Sequence, residues 1–337
     1  MIAANKPFIS TKCPLNSSRA LIPQIHPINT VMDAVWHTRW TANAVLSASN
    51  DGFLNLWDGS TAEHKARLDI SHLSISSLST TPHPECPQRA LVSSIDGTTS
   101  VVSLADAHLS ASTSHPGIWK SAIHPITLDH YTTSPAKLDS KLSIHSANIH
   151  PQSSEDPDFG TFLGTYDMGK PAFILSLEYS PNGAWCVAGA QSGQTYVFDT
   201  KSGSLVRVLT THSKPVRSIS FSPDSSILYT SSDDRLISAV DLRASTGSGA
   251  VFSFSNAHES SVTAVSAAPD SRLLASASTD HSIRLFDIGQ RASVAKMAQE
   301  DEVWSLSWRP LGVSGLSGSA FASGGDSGVV KWWKSAG

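Results

Sequence analysis

Histidine and aspartate recur in this chain at one spacing, in a combination able to move protons or hold metal. His212 stands 22 residues before Asp234 and His258 22 before Asp280, and each aspartate follows a serine by two positions, Ser232 and Ser278. Asp51 and Asp96 have the same upstream serine, Ser49 and Ser94, without the histidine. Catalysis by such residues needs a nucleophile, a base and an oxyanion donor brought together, and nothing here assembles them. There is no GxSxG turn and no paired-carboxylate motif, and Asp233-Asp234 reads as a turn pair. His108, His115, His124, His130, His145 and His150 crowd one stretch, but irregularly, without a cysteine pair, and several precede proline. They read as loop side chains rather than a zinc site. The QSGQ and GGDSG stretches lack the strand, loop and helix context of a phosphate cradle. No catalytic residue, cofactor or metal is expected.

The elements that must carry these residues repeat. Short strands after Asp- or Gly-containing turns end at Asp58, Ser103, Asp199, Asp241, Asp287 and Lys334, with gaps of 45, 96, 42, 46 and 47 residues. The double gap hides one unit between Ser103 and Gln191, which makes seven units. Upstream of each copy lies a second pattern, shown by Val216-Ile219-Phe221, Val262-Val265-Ala267, Val303-Leu306-Trp308 and Ile174-Leu177-Tyr179. A three-residue step followed by a two-residue step breaks the alternation of a strand. A β-bulge at the strand start accounts for it.

Composition agrees with strands: Ser, Thr, Val and Ile abound while Glu and Lys are sparse. With 15% charged residues, a net charge of −4 and no Lys/Arg cluster, the chain has no electrostatic footprint for nucleic acid. The three cysteines, Cys13, Cys86 and Cys186, are odd in number and far apart, and read as reduced thiols. No apolar run reaches signal-peptide or transmembrane length, so a soluble intracellular protein is expected.

These residues resemble the WD-repeat β-propellers. Asp51, Asp96, Asp234 and Asp280 stand six residues before Trp57, Val102, Val240 and Phe286, which close the repeats. The resemblance implies an all-β, seven-bladed propeller of four-stranded blades near 26–65, 66–110, 111–168, 169–210, 211–255, 256–297 and 298–337. An N-terminal strand within 6–25, part of FISTKCPL or SRALIPQI, would complete the last blade. Residues 126–158 form a partly flexible insertion in the third blade, with one strand in KLSIHSANI and disorder around HPQSSEDPD. The resemblance also implies a buried network of Asp51, Asp96, His212, Ser232, Asp234, His258, Ser278 and Asp280, in which the carboxylate accepts from an imidazole and a hydroxyl. The blades at Ser192 and Ser327 lack the aspartate, so their loops should be held less firmly.

Aligned on the bulge, the residues beside the first apolar position are Met32, Ser76, Trp119, Leu175, Arg217, Thr263 and Trp304. In a propeller this position lies at the lip of the central channel, and contiguous apolar surface there marks an interaction site. Met32, Trp119, Leu175, Arg217 and Trp304 are the expected partner-binding residues, and the neighbouring acidic QEDEV loop suits a basic residue on the partner. Within the family, the stretch Ala172 to Asp234, GIWKSAIHP and VKWWKSAG are similar to the WD-repeat subunit of the superkiller complex. That similarity implies a non-catalytic scaffold, both cytoplasmic and nuclear. It would bind a tetratricopeptide-repeat subunit and, through it, an RNA helicase and the exosome for 3′-to-5′ messenger RNA decay. Nuclear relatives partner a meiotic topoisomerase-like protein or a polymerase-II-associated complex. The alternative is an adaptor of another complex, in chromatin or ubiquitin ligation, and then an enzyme or metal protein.

Overall fold

The computed structural model describes residues 21–24, 33–80, 89–149, 158–244, 250–310 and 320–335. Every regular element among them is a strand, and the strands form seven four-stranded antiparallel sheets. Six sheets take four strands in chain order, over residues 35–69, 75–114, 118–172, 174–209, 216–254 and 262–298. We number these blades 1 to 6. Blade 7 is built from Val303–Trp308, Ala320–Gly325 and Lys331–Ser335, with Leu21–Gln24 as its outer strand. Leu21 pairs with Ser335 and Gln24 with Trp332, so the closing strand lies in SRALIPQI and the two ends of the chain lock one blade. Several expected blade limits fall inside an outer strand; that of blade 1, for example, is His64–Asp69.

Such blades have no common centre to bury. Seven apolar clusters divide the core, each lying between two neighbouring blades. Between blades 7 and 1, Trp57 and Trp332 meet edge to face with centroids 5.9 Å apart. The Trp57 indole donates to Ser47 Oγ at 2.9 Å, and that of Trp333 to Ser323 Oγ at the same distance. Trp57 and Trp333 are thus buried with their N–H groups paired, whereas the buried Trp332 N–H has no such partner.

Blade 3 corrects one expectation. Residues 126–158 supply two strands rather than one, His130–Pro135 and Asp139–Ser146. HYTTSP carries little apolar signal, yet Thr132, Thr133 and Ser134 are buried. Two of these hydroxyls have partners in neighbouring strands: Thr132 Oγ1 meets the Tyr179 hydroxyl at 2.6 Å, and Ser134 Oγ accepts from the Lys120 amide at 3.1 Å. Residues 150–157, where disorder was expected, lie outside the described residues.

The blades touch tightly enough to demand glycine. A Cβ on Gly324 would come within 2.4 Å of Val35 Cγ1 and 2.9 Å of Val35 Cβ, across the seam between blades 7 and 1. Gly324→Val should therefore cost about 1–3 kcal/mol by overpacking, seen as a lower urea midpoint with an unchanged slope.

Candidate functional site

Each inner strand opens with the same irregularity. The register of the first two strands shifts between Val35 and His37, Ile75 and Ser77, Ile118 and Lys120, Ile174 and Ser176, Val216 and Ser218, Val262 and Ala264, and Val303 and Ser305. The residue left out of each ladder is Trp36, Ser76, Trp119, Leu175, Arg217, Thr263 or Trp304. Six of these are the residues the sequence pattern selects; in blade 1 the position belongs to Trp36 and not to Met32, which lies outside the described residues. Thr38 occupies the second apolar slot of blade 1 and is 3% exposed, so a buried threonine hid the register.

A second ring lies beside the first. The residue after the second strand of every blade donates its amide to the carbonyl just before the inner strand, as in Asp233 to Pro215 and Asp326 to Glu302. Asp233 takes a bidentate grip from Arg217, with Nη2 at 2.7 Å and Nε at 2.9 and 3.0 Å. Asp326 accepts the Trp304 indole N–H at 2.5 Å. Trp36, Trp119 and Trp304 are half-buried, and Trp119 leans on half-buried Phe173 with centroids 5.5 Å apart. Leu175, expected to face solvent, is only 8% exposed and offers a partner almost nothing. Its apolar role at the mouth passes to Phe173, one residue before the inner strand, where the repeat alone gives no reason to look. The acidic loop is engaged in part by its own blade, since Lys331 Nζ donates to Gln299 Oε1 at 2.9 Å.

The Asp–His pairs are buried, with His212 and His258 side chains at 0% exposure and Asp234 and Asp280 at 6% and 5%. His258 Nδ1 lies 2.9 Å from Asp280, and His258 Nε2 lies 2.7 Å from Ser276 Oγ. His212 repeats this with Asp234 at 3.1 Å and Thr230 Oγ1 at 2.8 Å. The expected serines act differently: Ser278 and Ser232 accept the amides of Asp280 and Asp234, and the hydroxyl donated to Asp280 comes from Ser282. Asp96 accepts from Ser71 at 2.6 Å, while Asp51 accepts from Ser49 and pairs with Arg67 at 2.9 Å. Burial pushes the Asp280 carboxyl up, but Ser282, the Glu259 amide and His258 together hold it down at about 2. Burial lowers His258, only partly offset by Asp280, so the imidazole is neutral near pH 7. Among the described residues no group of three or more His, Cys, Asp or Glu is placed to hold a metal.

Inside the mouth, the inner strands enclose a channel cavity of about 440 Å³ lined by His37, Arg39, Glu178, Arg217 and Trp304, among others. Arg39 and Glu178 pair across it at 2.5 Å, tying blade 1 to blade 4.

Residues 203–239 and 250–287 match the WD domain, G-beta repeat. The seven four-stranded sheets make the chain a seven-bladed β-propeller, and two stretches of it carry the WD repeat. It is 28% identical to the meiotic recombination protein rec14 of Schizosaccharomyces pombe over 226 residues, 65% of this chain and 66% of that protein. The match therefore spans just under two thirds of the relative. Shorter matches are 31% identity over 87 residues to the pre-rRNA-processing protein crb3/ipi3 of the same yeast, 26% of this chain and 18% of that one. The WD repeat-containing protein SL1-17 of Schistosoma mansoni is 41% identical over 71 residues, 21% of this chain and 23% of that one.

Removing a carboxylate that several buried donors share leaves them all unpaired, so Asp280→Ala should cost about 2–3 kcal/mol at pH 7. Because the folded carboxyl titrates near 2, below its unfolded value, its contribution is complete above about pH 4 and disappears as pH falls through 2. Urea unfolding at pH 7 and at pH 3 should accordingly show a smaller gap between variant and wild type at pH 3.

Proposed function

We propose that this protein is a non-catalytic scaffold whose channel-mouth face docks a short segment of a partner protein. The observation that carries this is the arc of half-buried aromatic side chains at that mouth, Trp304, Trp36 and Trp119 with Phe173, interrupted by Ser76. Blades 7, 1, 2, 3 and 4 are consecutive around the ring, and we read these side chains as one docking face along it. Partly exposed tryptophans set on a rigid rim suit a segment anchored by a few apolar side chains. The rim lies in a polar surround, with Arg217 held flat by Asp233 rather than free to sweep solvent.

The partner class we propose is a tetratricopeptide-repeat subunit of the superkiller complex, on the strength of the sequence resemblance. Through it the scaffold would support exosome-mediated messenger RNA decay in the cytoplasm. The likeness to rec14, named as a meiotic recombination protein, supports a nuclear role in meiotic recombination through the same face. Both readings need one docking surface and no chemistry from the propeller itself.

The test is affinity purification of the tagged full chain, wild type against Trp119→Asp/Trp304→Asp. The double variant should keep its circular dichroism and lose co-purifying partners by tenfold or more, since truncating an interface anchor costs roughly 2 kcal/mol or more. Undiminished recovery of partners by a folded double variant would overturn the assignment of the face. Trp36→Asp alone should weaken binding, whereas Leu175→Ala should leave it unchanged apart from a stability loss of about 2–3 kcal/mol.

A further inference from the structure

The residue that follows the bulge is His37, Ser77, Lys120, Ser176, Ser218, Ala264 or Ser305 in blades 1 to 7. Ser77 and Ser176 use it to donate to the inner strand of the next blade, and Ser218 to accept from it. Alanine serves in blade 6, so the fold requires nothing larger there. Lys120 is therefore an addition that blade packing does not explain.

Its ammonium reaches back to blade 2, donating to the Ser76 carbonyl at 2.7 Å, and lies 3.2 Å from His37 Nε2. The same carbonyl is 2.9 Å from His37 Nε2, so one oxygen serves both cationic candidates. The nearby charges supply no counter-ion. Arg39 is a cation whose carboxylate partner, Glu178, it already holds, and Arg217 is matched by Asp233. No carboxylate pairs with Lys120 among the described residues. Burial, followed by Arg39 and Arg217, lowers Lys120 to about 7, and burial with Lys120 and Arg39 lowers His37 well below its ordinary value. A half-buried amine without an anion beside it is costly, and an apolar side chain of similar length would fill the place more cheaply. The adjoining cavity of about 440 Å³, which Lys120 meets through His37 3.2 Å away, is lined by His37, Arg39 with its partner Glu178, and Arg217, and has ample room for a small ion with its water.

We infer that the inner wall of the channel, beside blades 1 to 3, is a binding site for an oxyanion, a carboxylate or a tetrahedral anion, seated on Lys120 in the field of Arg39 and Arg217. The anion supplies the charge that Lys120 lacks, and binding draws a proton onto the amine. The inference stands apart from partner docking, because a free ion is enough to fill the site.

Sulfate is the probe, since its charge is constant over the working range. Isothermal titration of the full chain at constant ionic strength should show sulfate binding at pH 7 that is tenfold or more weaker at pH 9, with about half a proton taken up per ion at pH 7. Lys120→Met should abolish binding while leaving the thermal midpoint equal or higher. Lys120→Arg should keep binding and flatten the pH dependence, because its charge does not titrate. Acetate that competes with sulfate extends the site to carboxylate side chains, and acetate without effect restricts it to tetrahedral anions; either upholds the site. Sulfate binding unchanged in Lys120→Met, or none to wild type at up to about 50 mM, overturns it.

Discussion

An inner strand of this ring has backbone groups on its channel side that no further strand can cover, and the structure depends on how they are paired. Exposed strand edges invite uncontrolled pairing, and burying them unpaired is costly. Here side chains of one inner strand bond the backbone of the next at six of the seven seams, and at the seam of blades 3 and 4 the contact shifts to a turn just beyond the strands. Arg39 reaches the Leu78 carbonyl, Ser77 bonds Ser121, and His124 meets the Gly183 carbonyl. Ser176 then reaches the Val216 carbonyl, Ser218 and Ser220 accept from Val265 and Ala267, Thr263 donates to Val303, and Ser307 accepts from Trp40. The abundance of serine is thereby explained: small hydroxyls reach across a narrow seam while the apolar clusters fill the wider outer part of each wedge.

The bulge links this frame to the mouth. Omitting one residue from each ladder bends the strand and frees a side chain from the alternation that would otherwise commit it to the core or the seam. The seven freed side chains need not resemble one another, and they do not. Tryptophans gather on blades 7, 1 and 3, Arg217 is balanced by Asp233, and Leu175 is packed away. A scaffold can thus keep its seams constant while its rim varies, which fits the different names borne by the relatives of the repeats.

The buried aspartates follow the same logic of constant position and variable partner. Asp234 and Asp280 take histidine, Asp96 takes Ser71, and Asp51 takes Ser49 and Arg67. Ser71, His212 and His258 lie in the segments that join one blade to the next, so these carboxylates tie each such linker to a turn of the blade that follows it. The channel is different. Arg39 and Glu178 sit on blades that are not neighbours, and their pairing works as a strut across the ring.

Sequence periodicity by itself determined the number of units, their β character and the bulge, because each repeats at fixed spacing and is a matter of local backbone geometry, whereas the pairing of Leu21–Gln24 with the last strand was settled only by the structure. It also selected Trp119, Arg217 and Trp304. What it misplaced were positions where burial is satisfied by hydroxyls rather than by apolar side chains: Thr38, which concealed Trp36, and the Thr132–Ser134 run, which concealed a strand of blade 3. Only the tertiary structure decided which rim side chains reach solvent, since Leu175 and Trp119 are both large apolar side chains at equivalent positions, yet Leu175 is buried and Trp119 half-buried. The same holds for Lys120, Arg39 and Glu178, which are far apart along the chain and acquire their electrostatic meaning only when the ring closes around one channel.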